Sequence, residues 1–530
     1  MAWAFRACPK SPAWKGLAPL ILISSFVLLA SGTAGPKVVS LPLYRNEGRS
    51  IVKRNSASVL LDYSLDSFWL NATVGTPPQP VQLVLDTGSS DVWVFGPGSC
   101  GSDRCYGHYY DDSQSSTARL VDKGGFYSSY GDGTEVWGDY ISDDFQVSSI
   151  KIKDLNFAVA TRETIGEMGI MGIGFDTNEA ITETGAKPYK NIIDLMVDQG
   201  LINSRAYSLW LNDLESGIGS ILFGGYDTGK FKGNLIPIAI QPDAQSGQIT
   251  SMTIPWTSLS ITDPTQGTMT LTANSFAQPA LLDSGTTLSY IPRDLYDQVA
   301  SFANVFYADD GTGIVECEVM QSYRGTLNFE FDGSSGPVIP VPFSEFCPPL
   351  LDIYGNLVPL SNGYTACSFG FGPAQDDEPI ILGDTFLRSA YVVYNLDRQE
   401  IAIAPTVFES DESNIVEIDA PGSSGEQVWH LTGGVTVQQT ATAQVEGPGI
   451  YRSMPVTQLL SYTPTATGYH LSSSGFSQPS ASSQQSDRSQ PTETLHGAAS
   501  SIRAPGSGTL VNLVISIISF CLGSELMLAA

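Results

Sequence analysis

Short alternating or aliphatic runs, broken every few residues by Gly, Pro or Asp, fill the middle of this chain. Residues 68–74, 81–85, 207–211, 220–223 and 390–394 are of this kind. A period of two between turn residues predicts β-strands. Helical signals are few. Residues 191–200 (NIIDLMVDQG) open on a capping Asn and close on Gly, and residues 292–306 start with Pro at a first helical position. The pattern predicts a mostly β region over residues 55–408, built as two similar halves.

The ends read differently. Residues 1–34 carry Arg6, Lys10 and Lys15, an apolar run over 17–30 and small residues up to Ala34, the layout of a secretory signal. Residues 35–54 form a short basic segment ending in Lys53-Arg54, expected to be a propeptide with its processing site. Residues 409–500 are rich in Ser, Thr, Gln, Gly and Pro, the composition of a solvated stalk. Small residues at 497–501, a polar spacer and an apolar run over 510–522 follow the order of a glycosylphosphatidylinositol signal. Residues 501–530 are therefore expected to be removed and the chain to be held at a membrane by the lipid. One glycosylation sequon stands out, Asn71-Ala72-Thr73, inside a predicted strand.

Charge narrows the partners. With 54 Asp+Glu against 26 Lys+Arg, the net charge of −28 argues against nucleic acid, which needs clustered cations. The same excess suits work in acid, where carboxylates lose their mutual repulsion. Seven cysteines imply an oxidising compartment. Cys100 and Cys105 enclose four residues and suit a local disulfide. Among Cys317, Cys347 and Cys367 one is left over, and spacing alone does not choose it.

The chemistry lies in two loops. Residues 84–91 read VLDTGSSD and residues 281–288 read LLDSGTTL, with their aspartates 197 residues apart. Each sets one Asp at a strand end before a hydroxyl residue, a Gly and two more hydroxyl residues. Two carboxylates brought together cannot both ionise, so one becomes a base and the other an acid. Ser89 and Thr286 can bond the outer carboxylate oxygens, Gly88 and Gly285 offer N–H groups to the inner ones, and Thr87 and Ser284 can cross-bond the loops. Other catalytic classes fit poorly. Of four histidines only His108 lies in the folded region, no G-x-S-x-G elbow occurs, and nothing calls for a metal or cofactor.

These loops resemble those of pepsin-family aspartic endopeptidases, most closely the fungal yapsins and candidapepsins. The likeness spans about residues 66–405. It implies an all-β, bilobal fold with a cleft between the lobes, and Asp86 and Asp283 as the catalytic pair. Ile170-Met171-Gly172 and Ile381-Leu382-Gly383 resemble the segments that thread behind the loops. Tyr130-Gly131-Asp132-Gly133-Thr134 resembles the flap, its backbone with Asp132 and Thr134 placed to bond substrate, and Trp93 resembles the tryptophan bonded to the flap tyrosine. The resemblance further implies extended peptide or protein substrates, a monomer, and Cys100–Cys105 and Cys317–Cys367 disulfides that leave Cys347 free. No long acidic insertion of the yapsin kind interrupts the first lobe.

Overall fold

The computed structural model describes residues 36–45, 67–423 and 435–437, apart from 101–107, 132–133, 163–167, 244–245, 309–310, 353–355 and 376–377. The signal segment, Lys53-Arg54, Cys105, Asp132, most of the expected stalk and the C-terminal signal lie outside the described residues.

Strands dominate, as the two-residue period requires. Phe68–Val74 coincides with its predicted bounds, and Gln79–Asp86, Ala206–Trp210, Ile218–Phe223 and Ala390–Asn395 lie within two residues of theirs. Helix Ile192–Asp198 begins where Asn191 accepts from the Ile193 and Asp194 N–H groups, while the Asp194 side chain accepts in return from the Asn191 N–H. Helix Arg293–Phe302 is shorter than its apolar pattern. Asn304 takes a left-handed conformation (φ 55°), and residues 306–307 turn into a strand.

Both halves repeat one arrangement. In the first, Gln79–Asp86 runs parallel to Gly169–Gly172, and Val92–Phe95 runs antiparallel to that same strand from its other side. In the second, Gln278–Leu282 runs parallel to Ile380–Leu382, with Ser289–Pro292 antiparallel beyond it. Each half thus passes one short strand between the two arms of an Asp loop. Leu83, Leu85, Ala280 and Leu282 are fully buried behind the loops. Burying each such Leu contributes about 1.5–3 kcal/mol and holds the strand ends in place.

A long sheet joins the halves. Ala390–Asn395 of the second half pairs with Ala206–Trp210, which continues through Ile218–Phe223 into Val39–Arg45 and then Phe68–Val74. Val39–Arg45 falls in the segment expected to be a propeptide. Its alternate residues Val39, Leu41 and Leu43 are buried, and six register pairs bind it to residues 218–223. The packing also runs past Phe408, where composition places the start of the stalk. Ile415–Glu417 pairs with Gly225–Asp227, and Ile418 joins a small core with Trp210, Tyr226 and Tyr391. Two apolar residues, Val416 and Ile418, are invisible in the average composition of a long polar segment, yet they pack into that core.

Candidate active site

Asp86 and Asp283 end their strands in the same surroundings. The Gly88 N–H donates to Asp86 Oδ1 at 2.8 Å and the Ser89 hydroxyl donates to Oδ2. The Gly285 N–H donates to Asp283 Oδ1 at 2.8 Å and the Thr286 hydroxyl to Oδ2 at 2.6 Å. The inner and outer carboxylate oxygens thus take the donors that the sequence spacing offers. Behind each loop the threaded strand fixes the backbone: the Ile173 N–H donates to Asp86 O at 2.9 Å, and the Asp283 N–H to Leu382 O at 3.2 Å.

The two loops are bound to each other. Thr87 Oγ1 donates to Leu282 O at 2.9 Å and accepts from the Ser284 N–H at 3.0 Å. Ser284 Oγ donates to Leu85 O at 2.8 Å and accepts from the Thr87 N–H at 3.3 Å. Four reciprocal bonds across the dyad axis fix the separation of the carboxyls. Each carboxyl then leans on the other loop's glycine, since a Cβ on Gly88 would lie 2.6 Å from Asp283 Cγ and one on Gly285 would lie 2.6 Å from Asp86 Cγ. Only a residue without a side chain fits either place. Burial, and next the charge of Asp283 beside it, hold the Asp86 carboxyl well above the ordinary range, against the opposing pull of Ser89 and Gly88.

The hairpin of Arg119–Ser129 and Glu135–Val147 closes where the Tyr130 N–H donates to Thr134 O at 2.8 Å. Trp93 Nε1 donates to the Tyr130 hydroxyl at 2.8 Å, so the tryptophan and the tip tyrosine meet. Burial raises the Tyr130 phenol, and the charges of Asp86 and Asp91 add to this. Gly131 is exposed at the tip, and Thr134 is buried.

Other expected positions fall as follows. Cys317 and Cys367 form a disulfide and Cys347 is a buried free thiol, while Cys100 is disulfide-bonded. Asn71 is exposed on its strand. The sequence gives no hint that Asp91, just beyond the first loop, is buried among tyrosines, because its partners Tyr140, Ala180 and Tyr189 are distant in the chain.

A two-lobed β fold carrying paired Asp-Thr/Ser-Gly loops defines the aspartic-type endopeptidases. The model of the eukaryotic aspartyl protease family matches residues 67–406, and the chain belongs to that family. It is 39% identical to the "Probable aspartic-type endopeptidase OPSB" of Arthroderma benhamiae over 79% of this chain and 84% of that one. It is also 33% identical to secreted aspartic protease 1 of Candida albicans (72% and 91% covered) and 34% to yapsin-3 of Saccharomyces cerevisiae (64% and 66% covered). Among solved structures, an aspartic proteinase from Irpex lacteus superposes with a TM-score of 0.52 at 20% identity, covering 71% of this chain and all of that one.

Proposed function

We propose that this chain is an acid-active endopeptidase of the cell surface, with Asp86 and Asp283 as its catalytic pair. One observation carries the reading: two buried carboxyls, each placed by its own loop and locked to the other by four hydrogen bonds, share a site where both cannot ionise. With one proton between them, the ionised carboxylate takes a proton from water as its oxygen attacks the peptide carbonyl carbon. The other carboxyl protonates the carbonyl oxygen. Collapse of the resulting diol then returns that proton to a carboxylate and sends one to the departing amine, which restores the pair. This is the established logic of aspartic proteases, and the pair titrates as a unit. Tyr130 and the backbone of its hairpin cover an extended peptide and exclude water.

The leader, the dibasic pair and the C-terminal signal support a chain made as a zymogen, secreted and held at the surface by lipid. One contact supports the zymogen in particular. Val39–Arg45 is a strand of the central sheet, so loss of residues 35–54 requires displacement of a strand as well as a cut.

The test is hydrolysis of a mixed peptide library by the processed chain between about pH 3 and 7, with and without pepstatin, a transition-state mimic. Pepstatin-sensitive cleavage at acid pH is expected, lowered at least about a thousandfold in Asp86→Asn and in Asp283→Asn. A folded, processed sample without cleavage leaves a peptide-binding scaffold as the better reading.

A further inference from the structure

Asp91 stands where the first catalytic loop becomes strand Val92–Phe95, and it is buried. An interior carboxylate usually has a cation beside it, because unpaired charge there is costly. Among the described residues no ion pair includes Asp91. Three neutral donors hold it instead. Tyr140 OH and Tyr189 OH donate to Oδ1 at 2.9 and 2.8 Å, and the Ala180 N–H donates to Oδ2 at 2.7 Å.

Those donors come from three separate places. Tyr140 lies on Glu135–Val147, the outgoing strand of the flap hairpin; Ala180 opens the 3₁₀ turn Ala180–Thr184; and Tyr189 precedes helix Ile192–Asp198. Tyr140 also packs edge-on against Phe126 of the incoming hairpin strand, with ring centroids 5.5 Å apart. Two residues beyond Asp91, Trp93 bonds the tip residue Tyr130. Trp93, Phe126 and Tyr140 share a small core apart from the main one, with Tyr130 and Tyr189 packed against it. One carboxylate therefore bonds the outgoing hairpin strand directly, and reaches the incoming one through the Tyr140–Phe126 contact, from the foot of the strand that carries Trp93.

We propose that Asp91 is a positioning residue for the flap, setting through Trp93 the height at which Tyr130 stands over the dyad. The proposal rests on the reading of Asp86 and Asp283 as the hydrolytic pair with the hairpin as their cover. A carboxylate suits the task because it only accepts, so all three donors can point at it together. An amide of the same shape turns its NH₂ against one of them.

The test is a double-mutant cycle of Asp91→Asn and Tyr130→Phe in the processed chain. Its readouts are kcat/KM on an extended peptide and Kd for pepstatin by calorimetry. Asp91→Asn is expected to lower kcat/KM and weaken pepstatin binding about tenfold or more in the native background. In Tyr130→Phe, where the bond to Trp93 is already gone, the same change is expected to cost less than about threefold. Equal losses in both backgrounds mean that Asp91 only supports the lobe, and overturn the proposal. Unchanged values in the native background do so as well. Should Asp91→Asn not fold, Tyr189→Phe removes one hydroxyl from the carboxylate and carries the same cycle, with about a threefold loss expected in the native background alone. A native chain that binds pepstatin but cleaves nothing sinks the hydrolytic reading, and the binding arm still decides this one.

Discussion

Gly285 lies against the carboxyl of Asp86, a residue of the other lobe, with no room between them for a methyl group. Gly285→Ala is therefore expected to push the two carboxyls apart rather than merely to stiffen a loop. The expected result is a fall in kcat/KM of at least about a hundredfold with the protein still folded, read by peptide hydrolysis and circular dichroism. Near-native activity in this variant would show that the pair tolerates wider spacing.

Ser284→Ala removes a hydroxyl that donates to Leu85 O and accepts from the Thr87 N–H. Both groups are buried and would be left without that partner. A stability loss of about 2–3 kcal/mol in urea unfolding is expected, together with a loss of activity. Thr87→Ser keeps the corresponding hydroxyl and is expected to retain most of both.

The rate should fall as pH rises, because the Asp86 carboxyl holds its proton well above the ordinary range and catalysis needs one proton on the pair. At the lowest pH both carboxyls carry protons and the base is lost, which gives a bell-shaped profile of kcat/KM. Ser89 donates to the ionised form of Asp86 and so lowers its pKa. Ser89→Ala is expected to move the alkaline limb up by about one unit. A limb that stays in place or moves down would assign that titration to another group.

Glu179 is buried with one carboxylate oxygen unpartnered, and burial pushes its pKa up to about 10. A folded-state value above the unfolded one means that the folded chain holds the proton more tightly. The resulting stability is fully present below about pH 4.5 and is lost as pH rises toward 10, at up to about 1.4 kcal/mol per unit. Glu179→Gln has no proton to lose, so its melting temperature should decline less between about pH 5 and 8 and exceed that of the native chain at pH 7. Parallel curves for the two proteins would place the pH dependence elsewhere.

Cys347 is fully buried, and burial raises its thiol above the ordinary range. Iodoacetamide is expected to leave it unmodified in the folded protein and to label it in urea, as read by peptide mass spectrometry. Labelling without denaturant would mean that this part of the second lobe opens readily.

The active loops were legible in the sequence because each is a local motif whose glycine and hydroxyls act on an Asp within three residues. The long sheet was less so. The alternation of Val39, Leu41 and Leu43 is a clear strand pattern, but its place in a segment marked for removal hid its partner at residues 218–223. Asp91 shows the other limit. Its three donors are 49, 89 and 98 residues away, and no local spacing announces such a meeting.

The sheet that joins the lobes has a consequence for synthesis on the ribosome. Ala206–Trp210 waits for Ala390–Asn395, which pairs in turn with Glu400–Pro405. The first half can collapse early, but its edge remains open until nearly 200 further residues have emerged. Contacts so distant in sequence form slowly, and an unpaired edge attracts other chains meanwhile. The lag before activity should therefore depend on the arrival of residues 390–405, and truncation just before them should yield aggregates rather than a half-active lobe.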